Sequence, residues 1–177
     1  MKKWTLILAL FFTGISLSYA QRIAYIDSEF IMDQIPEYQA AQDEIDRISQ
    51  KWQEELEGKY RSIEQMYSEY TAGEVLMTED TKRDKQESIF AAEREAKEYR
   101  EKKFGYSGEL FELQESKVNP LQEKVFKAVE TVAKRKKYDY VFDKSGEVTW
   151  LFTNSTYDLS QLVLEELGIY QDDDSGR

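Results

Sequence analysis

Neither cysteine nor histidine occurs anywhere in the 177 residues, and proline and glycine are scarce, at two and eight. Without cysteine there is no disulfide framework, thiolate nucleophile or zinc ribbon. Without histidine there is no imidazole base, no serine–histidine–aspartate triad and no imidazole-ligated metal. Carboxylates, lysine and tyrosine remain, but the composition weighs against an enzyme and none is expected. Few helix breakers, one third of residues charged and a mean hydropathy of -0.69 describe a chain of solvated helices. Aromatic residues, at 14%, are too many for a disordered chain.

A long apolar run appears once, at the start. Lys2 and Lys3 precede an apolar stretch from Trp4 to Leu17, and Ser18-Tyr19-Ala20 puts small residues where a signal peptidase reads them. Residues 1–20 therefore read as a cleavable signal peptide cut after Ala20, since a membrane span needs ~20 apolar residues. The remaining chain is expected to be exported and soluble. Loss of Lys2 and Lys3 takes its formal charge from -11 to -13.

Beyond the leader, residues 22–27 read as a short strand and 28–35 as a short helix or turn. Pro36 suits a first helical position. From Glu37 to Ala72 apolar residues recur at Ile45, Ile48, Trp52, Leu56, Ile63, Tyr67 and Tyr70, a helical stripe close to a heptad seam. Residues 73–80 break it: Gly73 ends one helix, and Thr78 caps the next. The second run, 79–118, carries Ile89, Ala92, Ala96, Tyr99, Phe104, Leu110, Phe111 and Leu113, interrupted at Gly105 and Gly108. Glycine in a helix interior costs ~1 kcal/mol relative to alanine, so the arms are expected to bend near Gly58, Gly105 and Gly108. Alanine at Gly105 and Gly108 is expected to stiffen them. Pro120 is read as the start of a third helix, ended by the basic run Lys134 to Lys137. Strands are expected at 138–143 and 147–152, then a helix capped by Asp158 and stopped by Gly168.

The pattern predicts an α+β protein, a small β-sheet body with a long antiparallel α-helical hairpin projecting from it. The body is 21–36 plus 119–170, the arm is 37–118 with its tip near 73–80, and 171–177 is a flexible tail. A body of about 70 residues is too small for a robust core alone. Its apolar strands are therefore expected to meet across subunits, through Ile23, Tyr25, Ile26, Tyr140, Val141, Phe142, Val148 and Trp150.

Four features in order carry a family resemblance: the leader, the strand and its sequel RIAYIDSEFIMDQIPEY, the charged hairpin, and the closing NPLQEKVFKAVETVAKRKKYDYVFDKSG with its terminal helix. The chain resembles the Skp (OmpH-like) family of periplasmic chaperones, and KKFGYSGELFELQESKVNP resembles the Bacteroidetes-type form. The resemblance implies a homotrimer in the periplasm, with a β-rich trimerisation body and three helical tentacles. It implies an ATP-independent holdase, without cofactor, that encloses unfolded outer-membrane proteins and prevents their aggregation. Off-seam residues Tyr60, Met66, Leu76, Met77, Phe90 and Tyr106 are the expected client contacts, since aromatics and methionine offer contact area without fixed geometry.

The best-known members are strongly basic, whereas this arm is acidic. Residues 37–72 hold four basic and nine acidic residues. Long-range attraction to lipopolysaccharide or anionic lipid is not expected, nor is nucleic-acid binding. Asp172-Asp173-Asp174 reads as a solvated tail rather than a metal site. One alternative keeps the same arms: a structural tether or assembly factor, gripping a single folded envelope partner through a tip patch at Val75 to Met77.

Overall fold

Two four-residue strands frame the molecule in the computed structural model, which describes residues 21–146 and 149–169. β1 (Ile23–Ile26) and β2 (Tyr140–Asp143) pair in parallel, Ile23 opposite Tyr140 and Ile26 opposite Asp143. Parallel neighbours need a crossover, and here the crossover is the whole helical hairpin. α1 (Ser28–Asp33) starts where the Asp27 carboxylate accepts from Phe30 N at 3.0 Å. α2 (Pro36–Gly73) opens on Pro36 and runs 38 residues without interruption, about 57 Å at ~1.5 Å per residue. A 3-10 turn (Glu74–Leu76) makes the tip, and Thr78 Oγ1 then caps α3 (Glu79–Phe104), accepting from Thr81 N at 3.3 Å. After a break at 105–108, α4 (Glu109–Lys136) returns to β2. A 3-10 turn (Ser155–Tyr157) precedes α5 (Ser160–Glu166).

Strand alternation sorts the core. Ala24 and Ile26 point inward with Val141 partly buried behind them, and they join Ile31, Met32, Ile35, Val125, Ala128, Val132, Leu159, Val163 and Leu164. Ile26 and Val141, expected at a subunit contact, thus serve the protomer's own core. Arg22 fixes the end of α4: its guanidinium donates to the Lys136 carbonyl at 2.9 Å and lies 4.6 Å from the Tyr138 ring centre. The basic last turn of α4, Lys134 to Lys136, complements the helix dipole as its charges require.

Three expectations are corrected. Pro120 does not begin a helix but lies inside α4. Its ring removes one backbone donor, and α4 continues because Val125, Ala128 and Val132 bury its C-terminal half. Residues 149–152 form no strand, because Trp150 lies against the rings of Tyr25 and Phe142, at 6.5 and 5.9 Å between centres, across the sheet rather than along its edge. The open edge of β1 is instead met at Tyr25 by Asp158, with Leu159 N donating to the Tyr25 carbonyl at 2.9 Å. Alanine at Gly105 would not merely stiffen the arm, since a Cβ there collides with the Glu101 carbonyl. The leader at 1–20, Val148 and the tail at 171–177 lie outside the described residues.

Candidate functional site

The hairpin's seam is thin. Ala41, Ile45 and Ile63 of α2 and Ile89 and Ala96 of α3 are buried, while Tyr67, expected in the seam, is exposed. Polar clasps supplement the apolar contact between the helices. Tyr99 OH donates to Glu55 at 2.5 Å, Lys59 pairs with Glu95 at 2.6 Å, Tyr67 OH donates to Glu93 at 2.9 Å, and Gln86 donates to Tyr70 OH at 2.7 Å. Lys117 of α4 reaches Glu44 of α2 at 2.6 Å. Exposed pairs of this kind are individually weak, so the arm depends on their number.

Burial, with the hydrogen bond to Glu55 added, pushes the Tyr99 phenol up to about 12. A folded-state pKa raised above the ordinary 10.0 means that the contribution is intact below pH 10 and is lost as pH rises through about 12. The Glu93 hydrogen bond raises Tyr67 as well, so alkaline titration read by tyrosinate absorbance should show a late ionisation that is reduced in Tyr99→Phe and coincides with loss of helicity in the parent chain. Tyrosines all ionising together near pH 10 with helicity unchanged would contradict this placement of Tyr99.

Apolar side chains that escape the seam are scattered along the charged arm. Of the six expected contacts, Tyr60, Leu76, Phe90 and Tyr106 are exposed, Leu76 by 91% and Tyr106 by 96%. Met66 and Met77 are half-buried. Met66 faces α3 beside Lys85 and Ile89, and Met77 folds back over Gly73. Val75 stands beside Leu76 at the tip, 93% exposed. Phe111, placed by spacing in the stripe, is exposed instead and stacks on Tyr106 at 6.4 Å.

The outer face of the two-stranded sheet is apolar. Ile23, Tyr140 and Phe142 are exposed there, Tyr25 is covered by its neighbours, and Trp150 leans on Tyr25 and Phe142. The buried Trp150 Nε1 finds no acceptor among the described residues. An open groove of about 470 Å³ beside β1 is lined by Tyr25, Tyr138, Trp150, Phe152 and Tyr157, and a second of about 400 Å³ lies between β2 and α4 beside Phe126 and Phe142. Phe126, Leu151 and Phe152, all exposed, are not among the contacts expected from the sequence, which reads Phe126 as part of a helical apolar stripe. Leu151 and Phe152 were hidden in a run that reads as a strand.

Among the described residues no group of histidine, cysteine or acidic residues is arranged to hold a metal, and no helix is long and apolar enough to cross a membrane. Glu44, Glu95 and Glu130 are held below the usual carboxylate range by hydrogen bonds from Lys117, Lys59 and Lys134. Burial works against ionisation of Asp143, yet donors from Ser28 and Ser145 prevail and lower its pKa. That network, with Ser28 Oγ 2.5 Å from Asp143, ties the ends of β1 and β2 together.

The architecture is a long helical hairpin on a small two-stranded sheet, with exposed apolar side chains dispersed along a charged arm. Residues 22–167 match the family described as outer membrane protein (OmpH-like), and the chain belongs to that family. The crystal structure of a Caulobacter crescentus protein described as an OmpH-like outer membrane chaperone is similar, with a TM-score of 0.65 over 87% of this chain and 88% of that one. Sequence identity is 13%, so this likeness is one of fold. No curated protein matches the sequence significantly.

Proposed function

We propose that the protein is an ATP-independent periplasmic holdase that keeps unfolded outer-membrane proteins from aggregating in a cavity between helical arms. Family membership supports a chaperone-type role. The observation that carries the finer reading is the dispersal of exposed Tyr60, Phe90 and Tyr106 along an otherwise charged arm. Separate weak apolar contacts hold a client without trapping it, and the charges between them keep the complex soluble. In this reading residues 1–20 direct export and are removed after Ala20, 21–36 with 119–170 form the body, and 37–118 form the arm. The body assembles as a homotrimer, the number three coming from the family resemblance. The acidic charge leaves lipopolysaccharide and anionic lipid as poor partners.

The test is dilution of several unrelated urea-denatured β-barrel proteins into buffer with and without the chaperone. Light scattering should fall to near baseline at about one oligomer per client. Aggregation unaffected at that ratio would overturn the holdase reading. The tether reading rests on the adjacent, almost fully exposed Val75 and Leu76 at the tip. Capture of one folded envelope protein, abolished by Val75→Ser with Leu76→Ser, would favour it.

A further inference from the structure

We propose that residues 105–108 form a hinge in the returning limb of the arm and that Glu109 is the latch that holds it closed. The limb is interrupted here, α3 ending at Phe104 and α4 starting at Glu109, while α2 runs past the break without interruption. Trp52 of α2 meets Phe104 edge-on at 6.3 Å on one side of the gap, and Glu44 of α2 holds Lys117 on the other. α2 thus acts as a splint across a joint. The joint is built into the backbone: Gly105 N donates to the Glu101 carbonyl and Gly108 N to the Gly105 carbonyl, each at 2.9 Å. A Cβ at Gly108 would come within 3.0 Å of the Lys102 carbonyl.

One carboxylate closes this joint. Glu109, in the first turn of α4, accepts from Lys103 and lies 3.4 Å from Lys102 Nζ, both in the last turn of α3. Lys103 also lies 4.4 Å from the centre of the Trp52 ring, so the pair is clamped against the splint. Its side chains are 15% and 34% exposed, so salt screens it less than the other arm pairs. A hydrogen bond from Lys103 holds Glu109 below the usual carboxylate range, although burial opposes it. Removing the carboxylate leaves two adjacent lysines repelling each other beside a backbone in which the bond from Gly108 N to the Gly105 carbonyl lies inside the gap, between the helical bonds of Gly105 to Glu101 and Glu112 to Gly108. The limb then articulates, and among the described residues α2 is the continuous element that resists the bend.

The absence of cysteine lets spin labels be placed without background. Lys97→Cys on α3 and Glu115→Cys on α4 lie on opposite sides of the joint. Pulsed dipolar distances in the full, assembled chain without client should give a narrow distribution that widens at least twofold in Glu109→Gln. Amide hydrogen exchange at 108–112 should accelerate at least tenfold, with exchange at Val125 to Val132 unchanged. Unaltered width and exchange in Glu109→Gln would overturn the latch, and so would equal acceleration at Val125 to Val132, which reports general loosening. Because no client is present, failure here leaves the holdase reading standing, and failure of aggregation suppression leaves the latch standing.

Discussion

Ile31→Ala should cost about 2–5 kcal/mol of folding stability, the range for emptying a fully buried aliphatic site. Ile31 has no exposed surface and belongs to the one cluster that joins β1, α1, α4 and α5. That cluster is small, and the chain has no cysteine with which to cross-link it. Domain stabilities are of order 5–15 kcal/mol, so the cavity removes a large share. Urea denaturation followed by tryptophan fluorescence checks it, because Trp150 leans on the sheet beside this core. A change below ~1 kcal/mol would mean that the core is not centred where α1 meets α4 and α5.

The second large effect concerns assembly. Ile23→Lys with Phe142→Lys is expected to weaken self-association at least a hundredfold while leaving the protomer folded. Both residues lie on the outer face of the sheet and are about half exposed, so neither substitution empties the core. Two strands alone are marginal in water, and a contiguous apolar face is a feature that soluble monomers rarely display. In the proposed trimer, three copies each bringing two lysines to one contact would meet like-charge repulsion as well as lost burial. Sedimentation equilibrium at micromolar concentration decides it. An unchanged mass in the double variant would place the contact elsewhere, and a monomeric parent chain would remove the oligomer from the proposal.

Helical periodicity was the most readable signal in this chain. Ile45, Ile63, Ile89 and Ala96 are buried as the stripe requires, and Thr78 restarts the helix through its side-chain cap, whereas Gly73 keeps a right-handed φ of -98° and passes into the 3-10 turn rather than ending α2 in a left-handed cap. Phe111 shares the spacing yet is exposed, and Tyr67, also exposed, reaches α3 through its hydroxyl to Glu93, because a thin two-helix seam does not need every apolar position. Pro120 was misread for a related reason. Its local cost is fixed, but burial of Val125, Ala128 and Val132 further along decides whether the helix runs on. The run at 149–152 has strand-like composition, and only the three-dimensional position of Tyr25 and Phe142 shows that Trp150 belongs on a face. Candidate contacts were legible as residue types but not as directions: Met66 and Met77 turn inward, whereas Tyr60, Leu76, Phe90 and Tyr106 do not.

The side-by-side pairing of β1 with β2 has a consequence for biogenesis. The two strands are separated by the whole hairpin and run the same way, so β1 cannot find its mate until everything between them has emerged. Local helical contacts form early and distant strand contacts late. The limbs should therefore be wound before the base exists, and a polypeptide truncated before Tyr140 should remain helical but lack a sheet.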